Sequence, residues 1–230
     1  ISAGANGASS LTLTGSLDAV NAALIGLSYQ GNSEYNGADT IVLTVADNGN
    51  SGEGGEQTVS ESITVTVTPV NDAPNITVPP TQSFDTGSTF VFSSANGNLV
   101  SISDAEDAAQ VNFNDNVELS LTATDGSLTL LQTTGLVFSQ GSGVADTQMT
   151  FQGTISDINA ALDGMVFNPD DPNSDTTAVI TIALDDLADG GTAVGGVGGA
   201  ETVTKTINIQ TSNVNDGPVV TAPSNNLTVN

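Results

Sequence analysis

The chain has no cysteine, no histidine and no tryptophan, and its 230 residues carry one cation, Lys205. The absence of cysteine excludes disulfides and thiolate metal sites. With histidine also absent, Ser–His and Cys–His nucleophilic chemistry is excluded, as is any imidazole-bound transition metal. A carboxylate pair could still hydrolyse a glycoside. A sugar cleft, however, calls for aromatic platforms, and only two tyrosines are present. The inventory therefore argues against an enzyme. No apolar run approaches the ~20 residues of a membrane-spanning helix, so no membrane insertion is expected in this segment.

What is abundant is negative charge. Nineteen aspartates and seven glutamates give a net charge of −25. Nucleic acid and anionic lipid are excluded as direct partners, because both are bound by Lys and Arg that displace counterions. Such a charge also strains the compact state by self-repulsion unless it is neutralised. Bound divalent cations or high salt would do so, the latter by screening over a Debye length of about 8 Å or less. The plain alternative is that the charge maintains solubility. The excess of Asp over Glu favours metal, although Asp is also a common turn residue.

The chain repeats itself. Val70-Asn71-Asp72-Ala73-Pro74 returns as Val214-Asn215-Asp216-Gly217-Pro218, and Gly15–Leu27 aligns with Gly153–Met165. The offset is 138 (153 − 15) and reads without a gap from Gly15/Gly153 to Asp47/Asp185. At the closing phrase it is 144 (215 − 71), which places six extra residues in one loop, Gly49–Gln57 against Leu187–Ala200. Tandem modules usually provide reach, spacing or multivalent contact. The expected organisation is the C-terminal part of a first repeat (1–73), a complete second repeat (74–217) and the start of a third (218–230). The chain thus reads as a window onto a longer array.

Short period-two strands with Thr facing outward recur along the chain, at 11–14, 40–46, 62–68, 90–92, 117–121, 127–130, 149–151, 178–183 and 204–209. Gly, Asn and Asp turns separate them, which is the pattern of a β-sandwich. A short helix interrupts each copy, with Leu17, Val20, Leu24 and Leu27 matched by Ile155, Ile158, Leu162 and Met165. That stripe predicts one buried helical face. Ser16 and Thr154, or Asp18 and Ser156, can cap its start, and Gly26 and Gly164 stand where a left-handed terminator belongs. The matched Asn21 and Asn159 are expected to bond to nearby backbone.

The remaining chemistry is that of a hard cation bound by oxygen, calcium above all. Three clusters could supply ligands: Asp104-Ala105-Glu106-Asp107, the closing Asn71-Asp72 and Asn215-Asp216, and the strand ends Asp47-Asn48 and Asp185-Asp186. Each also makes a good turn without metal. The closing Val-Asn-Asp-Ala/Gly-Pro, the Asn-Ala-Ala-Leu helix, Tyr35-Asn36-Gly37-Ala38-Asp39-Thr40 and Ser103–Asp107 together resemble the cadherin-like and chondroitin-sulfate-proteoglycan-like tandem repeats of large bacterial surface adhesins.

That resemblance implies an all-β fold of tandem cadherin-like (Ig-like) Greek-key β-sandwiches with a short helix in each repeat. It also implies Ca2+ between repeats, with Asn71, Asp72, Asp104, Glu106 and Asp107 at one junction and Asp47 completing it. Asp185, Asn215 and Asp216 would begin the next. Glu106 stands where the family usually has a second Asp. The implied function is a calcium-stiffened stalk and adhesion segment on a bacterial cell surface, its partners being neighbouring repeats and possibly identical chains or a surface glycan or protein. The alternatives are a self-assembling fibre or surface layer, and a glycan- or protein-binding module that grips through the 187–200 loop.

Overall fold

The computed structural model describes residues 7–49, 53–68, 70–85, 89–105, 116–171, 177–187 and 199–212. They belong to two compact units, Ile1–Pro69 and Val70–Asn230. The expected start of a third repeat, 218–230, lies outside the described residues.

The first unit contains a helix, α1 (Leu17–Ile25), and two strands, β1 (Gly37–Ala46) and β2 (Thr58–Val67). The strands pair antiparallel without a break from Gly37↔Val67 to Ala46↔Thr58. Ser16 caps α1, its hydroxyl accepting the Ala19 N–H at 3.4 Å. Ahead of β1, the Tyr29 phenol donates to Asp39 Oδ2 at 2.7 Å.

The second unit runs β3 (Asn75–Thr77), β4 (Gln82–Asp85), β5 (Phe90–Phe92), β6 (Ser101–Ser103), β7 (Asn116–Ala123), β8 (Gly126–Thr129), β9 (Val137–Gln140) and β10 (Gln148–Thr154). It continues with helix α2 (Ile155–Leu162), β11 (Met165–Pro169), β12 (Thr177–Asp185) and β13 (Thr202–Ser212). One sheet has the order β4-β13-β12-β7-β10-β9, another β5-β11-β8, and β3 pairs with β6. Among the described residues only the β4–β13 pair is parallel.

Period-two alternation builds the core, since successive side chains of a strand point to opposite faces. β7 turns Val117, Leu119 and Leu121 inward, β12 turns Ile180, Ile182 and Leu184 inward, and β13 adds Ile207 and Ile209. The three-stranded sheet supplies Phe92, Leu128, Met165 and Phe167 to the same cluster. Phe84 of β4 meets Phe167 of β11 edge to face, with centroids 6.3 Å apart. Gly126 lies so close beneath the Phe167 ring that a Cβ there would stand 2.5 Å from it. Ile155, Ile158, Ala161 and Leu162 of α2 bury the predicted stripe, and Thr154 caps the helix by accepting the Asp157 N–H at 3.1 Å. Among the described residues the fold is all-β with two short helices.

Three sequence expectations are corrected. Gly164 has the left-handed φ of +122°, but Gly26 ends α1 at φ −97°, so the terminator operates in the second copy alone. Residues 11–14 form no strand beyond an isolated bridge at Thr12, and β3, β4, β6, β9 and β11, each three to five residues long, were not anticipated. The repeat offset also changes inside the module. Ala46 faces Thr58 and Asp185 faces Thr202 across their hairpins, so Asp185 is the counterpart of Ala46. The counterpart of Asp47 is therefore Asp186, at an offset of 139 (186 − 47).

A one-residue slip reverses every side chain of a strand, and the buried row decides the alignment. Ile41, Leu43 and Val45 match Ile180, Ile182 and Leu184. The six extra residues thus divide. One lies before the strand, and five lie between Asp186 and Glu201 when compared with Asp47 and Gln57, because 15 − 10 = 5.

Candidate functional site

Asp186 continues the inward row of β12 past the end of the strand and is fully buried, at 0 % exposure. Its backbone N–H donates to the Glu201 carbonyl at 3.2 Å, and Oδ1 accepts the Glu201 N–H at 2.8 Å. Asp47 does the same in the first unit: its N–H donates to the Gln57 carbonyl at 3.1 Å, and Oδ1 accepts the Gln57 N–H at 2.9 Å. One aspartate therefore closes the mouth of the hairpin in both units, whatever the length of the loop between. Asp47 Oδ1 also accepts the Gly49 N–H at 2.9 Å. The Gln57 N–H, with that of Gly49 behind it, holds the Asp47 carboxyl below the usual carboxylate range.

In the second unit the closing phrase packs onto this aspartate. Asn71 is 6 % exposed and donates from Nδ2 to Asp186 Oδ2 at 2.7 Å and to the Gly199 carbonyl at 3.2 Å. These contacts join residues 115 and 128 positions apart in sequence. Asp185 points the other way, its Oδ1 accepting the Leu187 N–H at 2.8 Å and its Oδ2 the Thr202 hydroxyl at 3.0 Å.

Asp104 lies at the same end of the unit. β3 and β6 pair antiparallel with Asn75 opposite Ser103, so the residues flanking that pair, Pro74 and Asp104, emerge side by side. Asn159 of α2 holds β6 in place. Its Oδ1 accepts the Ile102 N–H and its Nδ2 donates to the Ile102 carbonyl, both at 2.9 Å. This two-point clamp positions the chain two residues ahead of Asp104, whose Oδ1 accepts the Ala105 N–H at 2.7 Å.

The oxygens gathered at this end (Asp186, Asp185, Asp104, Asp72, Asn71 and the Gly199 carbonyl) are of the type that suits calcium. Their arrangement is a hydrogen-bonded one: Asn71 turns its NH2, not its oxygen, toward Asp186. Among the described residues no three acidic side chains converge tightly enough to hold a metal ion. Glu106, Asp107, Asn215 and Asp216 of the expected ligand set lie outside the described residues. Asp47 belongs to the first unit. Asp186 was not singled out as a ligand from sequence, because the ungapped offset assigned its role to Asp185. The signal that could have found it is the phase of the apolar row Ala178, Ile180, Ile182, Leu184.

Comparisons with known proteins add little detail. The sequence profile of the Protein GAMETE EXPRESSED 2 domain matches residues 1–54, a stretch that ends ahead of β2. No curated protein sequence matches the chain. Among solved structures it is similar to CfaE, the adhesive subunit of the CFA/I fimbria of enterotoxigenic Escherichia coli, with 11% identity and a TM-score of 0.33. That likeness covers 78% of this chain and 59% of the fimbrial subunit, so the chain spans under two thirds of the protein it matches. At that score it carries no argument about function.

The described residues include no helix long and apolar enough to cross a membrane. The only charge opposing the acids is Lys205, which sits exposed on β13 opposite Ile182. What the site does chemically is seal one end of the sandwich: a buried carboxylate takes its hydrogen bonds from a backbone amide and from the closing phrase.

Proposed function

We propose that the chain is a segment of an extracellular array of cadherin-like β-sandwiches on a bacterial surface, serving as stalk and adhesion module and not as an enzyme. The observation that carries this reading is the equivalence of the β1–β2 and β12–β13 hairpins, each closed by the same Asp-to-amide contact. Two copies of one device within one chain are what an array requires. Absent histidine and cysteine leave no Ser–His or Cys–His pair for catalysis.

Calcium is the second part of the proposal. A net charge of −25 needs a counter-charge, and the closing phrase, Asp104 and the β12 end bring oxygens to one end of the second unit. Asp72 and Asp104 would hold the ion there, with Glu106 and Asp107 following in sequence and the Asn71–Asp186 hydrogen bond anchoring the closing phrase beside them. Bound calcium would fix each closing phrase to the unit that follows it and so stiffen the array.

The test is thermal unfolding with millimolar calcium and with chelator at fixed ionic strength. Calcium binding only to the folded state raises the midpoint, here by about ten degrees or more, and Asp104→Asn or Asp72→Asn cuts the rise back. Stabilisation by simple salt without any response to calcium would refute the metal and leave a salt-adapted spacer.

A further inference from the structure

The two units differ in what covers their equivalent residues. Leu17 of α1 is 73 % exposed, whereas its counterpart Ile155 is 6 % exposed. Ile63 of β2 is 45 % exposed, and its counterpart Ile207 is 1 % exposed. The same holds for Val45 against Leu184 and for Leu27 against Met165. The helix and hairpin of the first unit thus carry the inward-facing apolar row of a sandwich without being buried like one.

The second unit shows what does the covering. β7 pairs along the free side of β12 from Ile180↔Ala123 to Asp185↔Glu118, and β4 pairs along the free side of β13 from Ile209↔Gln82 to Ser212↔Asp85. Phe92 and Leu128, of β5 and β8, belong to the core cluster that also holds Met165, Ile180 and Ile207. All of these elements come from residues 75–138, ahead of the helix. Among the described residues of the first unit, β1 and β2 form a two-stranded sheet with neither flank occupied by a third strand.

Residues 11–14 tell the same story. At the offset of 138 they are the counterparts of Met149–Gln152 in β10, a strand that exists by pairing with β7 and β9. A strand pattern without its flanking strands does not become a strand, because a sheet is stabilised by its cross-strand pairs.

From these equivalences we infer that the exposed face of the first unit is a docking surface for a half-repeat of the kind residues 75–138 provide, joined ahead of the helix in the order seen in the second unit. Its β7-type strand adds to the edge of β1, and its β4-type strand adds to the edge of β2. Its Phe- and Leu-bearing strands cover Ile41, Leu43, Ile63 and Tyr29. Main-chain hydrogen bonds along an open edge supply the attraction, and the alternate side chains fix the register. The inference rests on the internal equivalence alone and holds with or without calcium.

The test fuses a copy of residues 75–138 directly ahead of Ile1 of the full chain, where the offset places Ser139 against Ile1. Tyr29 and Tyr35 are the only tyrosines in the chain, and residues 75–138 contain none, so tyrosine fluorescence reports the first unit alone. In the fusion, acrylamide quenching of tyrosine should fall, and amide exchange in β1 and β2 should slow by on the order of 100-fold relative to the parent. Leu119→Asp with Leu121→Asp in the added copy should abolish both effects. Unchanged quenching and exchange in the fusion would overturn the inference, and so would protection that survives the paired Asp substitutions.

A second measurement needs no fusion. In the parent chain, Ile63→Asp should leave the unfolding midpoint unchanged while Ile207→Asp unfolds the second unit. A parent chain equally sensitive to Ile63→Asp already has that face covered. A parent that sediments as a dimer with its tyrosines protected assigns the face to a second copy. Either result refutes the proposed occupant.

Discussion

Replacing Asn71 by alanine tests the sealed end of the second unit most directly. The substitution removes the donor 2.7 Å from Asp186 Oδ2 and the weaker one 3.2 Å from the Gly199 carbonyl. Asp186 is fully buried, so water cannot take the place of the lost donor without opening the site. A hydrogen bond to a charged group contributes about 1.5–3 kcal/mol and an ordinary one about 1 kcal/mol, which puts the loss at about 2–4 kcal/mol. For a domain of this size that lowers the unfolding midpoint by roughly 5–15 °C.

The assay is far-UV circular dichroism through thermal and urea unfolding in chelator, because both tyrosines lie in the first unit and are blind to the second. A double-mutant cycle with Asp186→Ala isolates the pair and should give a coupling of about 1–3 kcal/mol. A loss under ~0.5 kcal/mol for Asn71→Ala, or additivity with Asp186→Ala, would refute the reasoning; surface substitutions outside such features fall in that range.

Two further outcomes follow from contacts elsewhere in the two units. Asp47 is held below its ordinary value of 3.8 by the Gln57 and Gly49 amides, so its contribution to the β1–β2 hairpin is present above pH 3.8 and is lost as pH falls through the lower folded value. Carboxyl-detected NMR should show Asp47 titrating below 3.8, and Asp47→Asn should remove this acid dependence; a normal titration would contradict the geometry. Gly126→Ala drives a Cβ to 2.5 Å from the Phe167 ring and should destabilise the second unit by about 1–3 kcal/mol in urea unfolding, whereas a neutral result would mean that the ring moves freely.

The helix caps were legible because capping is local: Ser16 and Thr154 each reach an amide three residues on. The long strands were legible because alternation needs no knowledge of the partner. The short strands β3, β4 and β6 were not, since each has a single inward apolar side chain, whereas the equally short β5 was marked by Phe90-Val91-Phe92. Asn159 of α2 was expected to bond to nearby backbone, but its partner is Ile102, 57 residues away on strand β6.

By itself the sequence determined an all-β chain, a repeated helix-and-hairpin module, and an inventory without histidine or cysteine. These follow from composition and from periods of two and 3.6, which are properties of single segments. Only the tertiary structure decided that Asp186, in phase with the apolar row of β12, meets the Glu201 amide, because that depends on the register across the β12–β13 hairpin. It also decided that Asn71 belongs with Asp186, and that equal apolar stripes are buried in one unit and bare in the other. Burial and register are settled between segments distant in the chain, where the local pattern has no information.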